Sequence, residues 1–263
     1  MATVRTRQPP PPFRRLEVAR VEDRHRHLRR VTLTGPELES FDPGLPAASV
    51  RLLLPTAAGE LVLPTWEGNE FLLPDGTRAS IRTLTPLRFD ADALELDVEV
   101  VRHDDSPLTR WVAGAEAGTP TAVSGTGRGF EVDPAVTTYV LAGDESALPA
   151  ISTLVPALPV GASVTVVLAV RDPAMAAVLA APAAVDVRAT EVGLDEPAGD
   201  VLVAGVAEAL PEGRPPGPEV HVWAAGEAAD VQQLRKALAA DDIGLPRSQT
   251  TIRGYWKRGR EGT

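Results

Sequence analysis

His103 is followed directly by Asp104 and Asp105, which sets an imidazole beside two carboxylates. A positioned imidazole can act as an acid, as a base or as a hydrogen-bond donor to a ligand, because it titrates near neutral pH. The plainer reading is a hydrogen-bonded pocket wall. The other three histidines offer less chemistry. His25 and His27 stand two apart with no third ligand nearby, and read as surface groups; no metal site is expected. His221 leads into an apolar run and reads as structural. Gly226 and Glu227 end an apolar run at the kind of edge where doubly wound sheets bind ligands, although Glu227 also suits the start of the helix that follows. Asp144 and Ser146 suit the same capping role after an earlier run. Lys257 with Arg258 could meet a cofactor phosphate or form a solvated tail. No G-x-S-x-G, H-E-x-x-H or P-loop pattern occurs. The chain has no cysteine, which excludes disulfides, thiolate zinc sites, iron–sulfur clusters and cysteine nucleophiles.

These residues need a scaffold. Short runs rich in Val, Leu and Thr fill the first half, split by Gly, Pro and Asp. Strands are expected near residues 16–24, 29–35, 49–55, 60–64, 80–85, 93–103 and 119–125. Such spacing predicts an antiparallel barrel. One helix is expected over Pro107–Ala117, with Ser106 as N-cap and Pro107 in the first turn. After Asp133-Pro134 the pattern changes. Apolar strands, as in SVTVVLAV and EVHVWAAG, alternate with helices near 147–157, 173–181 and 228–239. A strand is expected at 201–204, then a helix at 206–210. This alternation predicts a parallel, doubly wound sheet. The domains are read as an extended, disordered arm over 1–12, a barrel over 13–134 and an α/β domain over 135–263.

The 263 residues carry a net charge of −10, which argues against nucleic acid or an anionic membrane surface as partner. The N-terminus lacks an apolar signal core, and no long apolar run could span a membrane. A cytosolic protein acting on a small molecule is expected, its oligomeric state open.

Four stretches carry a family resemblance. GDESALPAI (143–151), WAAGEAADVQQLRKAL (223–238), RGYWKRG (253–259) and RRVTLTG (29–35) are similar to signatures of the siderophore-interacting proteins. The resemblance implies FAD on the barrel, NAD(P)H on the second domain and reduction of ferric siderophores. It also implies that Gly143, Asp144 and Ser146 belong to the dinucleotide-phosphate loop of the second domain, beside which Gly226 and Lys257 are the further candidates for cofactor binding.

The family's flavin strand reads Arg-x-Tyr-Thr-x-Arg. Here SIRTLTPLRFD keeps Arg82 and Thr85, but has Leu84 for the tyrosine and Leu87 for the second arginine. Arg88 would lie on the opposite face of a regular strand. The family's next motif matches at His103, Pro107, Thr109 and Trp111, with Asp104, Ser106 and Leu108 replacing small residues. Thr126 replaces a proline in the segment that closes the barrel. An aromatic contact adds about 0.5–1.5 kcal/mol, and a charge-assisted hydrogen bond about 1.5–3. Losing both would weaken FAD by about two orders of magnitude or more.

The expectation drawn from these changes is a repurposed enzyme without FAD or any other cofactor. A hydrophobic substrate would fill the vacated pocket and undergo a cyclisation, such as a [4+2] cycloaddition of polyketide type. Leu84, Leu87, Leu108, Thr109, Trp111 and Thr126 would shape the chamber, with Arg82, Thr85 and His103 acting on the substrate. The alternatives are an FAD-dependent NAD(P)H:ferric-siderophore oxidoreductase, with Arg82, Thr85 and Thr109 among its FAD contacts, and a non-catalytic siderophore binder.

Overall fold

The computed structural model describes residues 10–102, 106–211 and 216–259. The chain divides into two units, the first ending at Gly129 and the second starting at Phe130.

The first unit contains strands β1 (Phe13–His25), β2 (Leu28–Thr34), β3 (Val50–Leu53), β4 (Thr65–Glu67), β5 (Glu70–Leu72), β6 (Ile81–Leu84), β7 (Pro86–Asp90), β8 (Glu95–Val101) and β9 (Pro120–Ser124). Helix α1 (Pro107–Gly114) lies between β8 and β9. Seven strands pair antiparallel in the order β6-β3-β9-β1-β2-β8-β7, while β4 and β5 form a separate hairpin. The two edge strands, β6 and β7, are consecutive in the chain and separated only by Thr85. A sheet whose edges are chain neighbours has to curl toward closure.

Alternation sorts the side chains of this sheet. Leu33, Leu52, Leu96 and Val98 turn inward and pack with Trp111 and Val112 of α1. On the other face, Phe13, Leu53 and Ala122 form a smaller cluster with Phe71 and Ile81. Two expectations need correction. Residues 60–64 form no strand, because their apolar side chains pack as an irregular lead-in to the β4–β5 hairpin. Strand β7 was not anticipated, because a proline opens it and a bulge interrupts its alternation.

The second unit holds β10 (Thr138–Gly143), α2 (Leu148–Leu154), β11 (Ser163–Val170), β12 (Asp186–Glu191), α3 (Gly199–Ala209), β13 (Val220–Glu227), α4 (Ala228–Ala239) and β14 (Thr250–Trp256). The five strands are parallel in the order β12-β11-β10-β13-β14. An antiparallel curled sheet followed by a doubly wound parallel sheet is the expected fold class. The strand expected at 201–204 is part of α3, because Leu202 and Val206 repeat at helical spacing on its buried face. The helix expected near 173 is 3-10, over Pro173–Leu179. Among the described residues no helix is long and apolar enough to cross a membrane.

Candidate functional site

The first half-site follows from the curl. Leu84 and Arg82 on β6 stand opposite Val50 and Leu52 on β3, so both side chains share the inner face. Leu84 and Leu108 pack, half-buried, against the same core cluster. Between the two edge strands, Thr85 is 7% exposed, and its hydroxyl makes no hydrogen bond among the described residues. The Arg82 guanidinium donates to its own strand at the Ile81 carbonyl (2.8 Å). Helix α1 begins beside this region in sequence. Ser106 caps it by accepting from the Thr109 N–H (3.2 Å), and the two hydroxyls hydrogen-bond (3.1 Å). Trp111 belongs to the barrel core, and its buried indole N–H has no partner among the described residues. Thr126 donates its hydroxyl to the Asp42 carbonyl and ties the end of β9 to that loop. His103, together with Asp104 and Asp105, lies outside the described residues.

Strand β7 is irregular where it matters. Pro86 pairs with Val98 and Arg88 with Asp97, which leaves Leu87 as the extra, half-buried residue of a bulge. Arg88 is committed elsewhere. It contacts Asp97 at 2.9 Å, Asp90 at 3.1 Å and Glu95 at 3.4 Å on the outer face. It therefore does not replace the missing second arginine.

The second half-site lies at the carboxyl edge of the parallel sheet. The strand order reverses between β10 and β13, and such a switch point is where doubly wound sheets take ligands. Gly143 and Gly226 end these two strands. A Cβ on Gly143 would meet the Ala225 carbonyl at 2.1 Å, and one on Gly226 would meet Asp144 Oδ2 at 2.7 Å. The glycines let the two strand ends close on Asp144. Its Oδ1 accepts from the Ser146 N–H (2.9 Å) and hydroxyl (2.5 Å), and its Oδ2 from the Glu227 N–H and the Trp256 indole (both 2.8 Å). Burial still pushes the Asp144 carboxyl above its ordinary range.

Glu227 caps α4. Its Oε2 accepts from the N–H groups of Ala229 (2.6 Å) and Asp230 (3.0 Å), and its Oε1 from Arg258 N–H (3.1 Å). Burial opposes ionisation there, but the N–H groups of Arg258, Asp230 and Ala229 outweigh it and hold the carboxyl below its usual range. Arg258 is no loose tail. It donates to the Glu196 carbonyl (3.0 Å) and to Asp230 (3.2 Å) and covers the Trp256 ring at 5.7 Å. Lys257 beside it is exposed.

Sequence reasoning missed Arg51, the one charged residue in VRLLLP. It is exposed on the outer face of β3, makes no ion pair among the described residues, and lies 5.9 Å from the Phe71 ring centre. A lone cation in an apolar strand was the available signal. Phe71 in turn meets Phe13 at 5.1 Å and Trp66 at 4.9 Å, both edge to face.

The flavin question can be put to this geometry. Arg82 offers a cation, Thr85 an unpartnered hydroxyl, and Ser106 and Thr109 hydroxyls at a helix start. Leu84 and Leu108 offer an apolar surface for a ring. The donor set fits FAD, with leucine in the place of an aromatic ring partner.

Comparison with known proteins bears on the same point. Residues 17–129 match the siderophore-interacting FAD-binding domain, and residues 136–259 match the siderophore-interacting protein family. A siderophore utilization protein from T. fusca has a similar structure, with a TM-score of 0.81 and 32% identity, covering 98% of this chain and 97% of that one. The ferric vibriobactin reductase ViuB of Vibrio cholerae is 29% identical over 94% of this chain and 90% of its own length. The NADPH-dependent ferric-chelate reductase of Escherichia coli is 28% identical over 93% of this chain and 92% of its own length. These matches overturn the expected cofactor-free cyclase and its expected lack of FAD. The physical reason is that two lost contacts lower affinity without abolishing binding, and the remaining cation, hydroxyls and apolar surface are of the kinds a flavin needs.

Proposed function

The chain belongs to the siderophore-interacting protein family, and from that premise we propose that it is an FAD-dependent oxidoreductase that carries electrons from NAD(P)H to a ferric siderophore. The observation that carries this reading is the FAD-binding match over residues 17–129, within which Arg82 and Thr85 are kept at the seam between β6 and β7. FAD, when bound, would supply hydride acceptance from NAD(P)H and electron delivery to iron(III).

The chain's own residues supply position and charge. Arg82 would hold the anionic part of the cofactor, as guanidinium groups hold phosphate. Thr85 would hydrogen-bond the polar edge of the ring, and Leu84 with Leu108 would exclude water from its face. Asp144 and Glu227 set the strand ends of the nucleotide half-site. Ferric catecholate complexes are anionic, and a chain of net charge −10 repels them on average. Arg51 above Phe71 gives such a complex a local cation and an aromatic surface. NAD(P)H is an intracellular reductant, so the reading goes with a cytoplasmic location.

The test is direct. Purified protein incubated with FAD should hold flavin absorbance between 350 and 500 nm after desalting. It should then oxidise NAD(P)H in the presence of a ferric siderophore. A protein that stays colourless after incubation with FAD sinks the reading. A protein that binds the siderophore yet leaves NAD(P)H unoxidised would be a binder instead.

A further inference from the structure

Helix α1 ends without help from its own sequence. Its last turn, residues 111–114, holds no basic residue, and the C-cap Ala115 leaves in an extended conformation (φ −68°, ψ 130°). The last carbonyls of a helix have no partner inside it and carry the negative end of its dipole. Here a cation from β2 meets them. Arg29 shares the inner face of β2 with Val31 and Leu33, which lie in the barrel core. Its Nη1 donates to the Val112 carbonyl at 2.7 Å and to the Ala113 carbonyl at 3.2 Å, across 83 and 84 residues of chain.

The β1–β2 hairpin also holds the chain ahead of the helix. Asp23 stands opposite Arg29 in the register, and its Oδ1 lies 3.6 Å from Arg29 Nε and 3.0 Å from Arg102 Nη2. Arg102 donates its backbone N–H to the His27 carbonyl (2.8 Å) and its Nη2 to the His25 carbonyl (3.2 Å). It follows the last residue of β8 and precedes Ser106, the cap of α1. The hairpin tip therefore grips both the end of α1 and the chain that leads toward its start. Apolar packing of Trp111 and Val112 seats one face of the helix, but such packing is non-directional and does not fix a helix along its own axis. Two directed hydrogen bonds at one end do.

That axial position matters at the other end, which carries Ser106, Leu108 and Thr109 of the flavin site. A helix start, with its N–H groups and the positive end of the dipole, suits a phosphate. We propose that Arg29 is a positioning residue for FAD: by capping the end of α1 it fixes where the helix start meets the pyrophosphate. This rests on the reading that the chain binds FAD.

The test compares two flavins on the full chain. FAD carries a pyrophosphate, whereas riboflavin has the same ring and no phosphate. The change in flavin fluorescence on titration gives Kd for each, and urea unfolding of the flavin-free protein reads stability alongside. Wild type should favour FAD. Arg29→Met should weaken FAD roughly tenfold, the scale of a well-placed helix-end charge with its hydrogen bonds. Riboflavin, held by the seam between β6 and β7, should change far less. Arg29→Lys keeps the charge and one donor and should recover part of the loss. If Arg29→Met weakens both flavins to the same degree, Arg29 serves folding alone and the proposal is overturned; FAD affinity that survives the change overturns it too. If Arg29→Met does not fold, Arg29→Lys and Arg29→Gln are read in its place. Each keeps one hydrogen bond, each should still lower the preference for FAD over riboflavin, and an unchanged preference in both sinks the idea. Wild type that binds riboflavin as tightly as FAD overturns the proposal and leaves the flavin reading intact. Wild type that binds neither flavin ends the reductase reading and the proposal with it.

Discussion

The indole N–H of Trp256 donates to Asp144 Oδ2 at 2.8 Å, joining residues 112 positions apart. The same oxygen accepts from the Glu227 N–H. The loop after β10, the end of β13 and the end of β14 thus meet on one buried carboxylate.

Replacing Asp144 should therefore cost more than a surface change. Asp144→Asn turns an amide NH2 toward donors, leaving at least one of them unsatisfied. A loss of about 1–3 kcal/mol in urea-induced unfolding is expected. Trp256→Phe removes one donor and keeps the ring, and should cost about 1 kcal/mol or less. An Asp144→Asn protein as stable as wild type would show that the junction matters little.

Flavin affinity should respond to restoring the missing groups. Leu87→Arg adds a cation at the half-exposed bulge and should tighten FAD roughly tenfold or more, with the gain shrinking at high salt. Leu84→Tyr should tighten it several-fold, from about 0.5–1.5 kcal/mol of ring contact. Quenching of flavin fluorescence on titration measures both. No gain from either variant would mean that the flavin does not lie along this strand.

Arg51→Ala should raise KM for an anionic ferric catecholate by several-fold and barely change KM for an uncharged ferric hydroxamate. Arg51→Glu should exaggerate the difference. Equal effects on both substrates would assign Arg51 to folding instead of charge recognition.

Stability should fall on mild acidification because of His221. Its ring packs near Phe130 and Tyr139 and hydrogen-bonds the Thr251 hydroxyl at 3.1 Å. Burial lowers its pKa, against the opposing pull of the Asp133 charge. The folded state thus binds its proton less readily than the unfolded chain does. Its contribution is present above the ordinary histidine pKa and is lost as pH falls through the depressed one. Urea midpoints compared at pH 7.5 and pH 5 should drop less in His221→Gln than in wild type.

What could be read from the residues alone followed from local rules. Helix α4 was legible at both ends because its apolar positions repeat at helical spacing behind a capping Glu227. Strands β11 and β13 were legible as apolar runs of strand length. The run Val201–Ala204 misled because four apolar residues in a row have no period of their own; only Leu202 with Val206 shows the helix. Strand β7 escaped because the bulge at Leu87 breaks its alternation. The role of Asp144 was half visible. Its cap on Ser146 is local, whereas its partners at Glu227 and Trp256 lie 83 and 112 residues away, beyond any short-range pattern. The flavin expectation failed for a related reason: counting two absent side chains says nothing about the groups that the curl of the sheet still gathers.

Pro86 opens β7 two residues after Leu84 ends β6, yet Leu84 pairs with Val50 of β3 and Pro86 with Val98 of β8. The chain therefore steps from one rim of the seven-stranded sheet to the other across Thr85 alone. A change of backbone at this single link would be felt at both rims together.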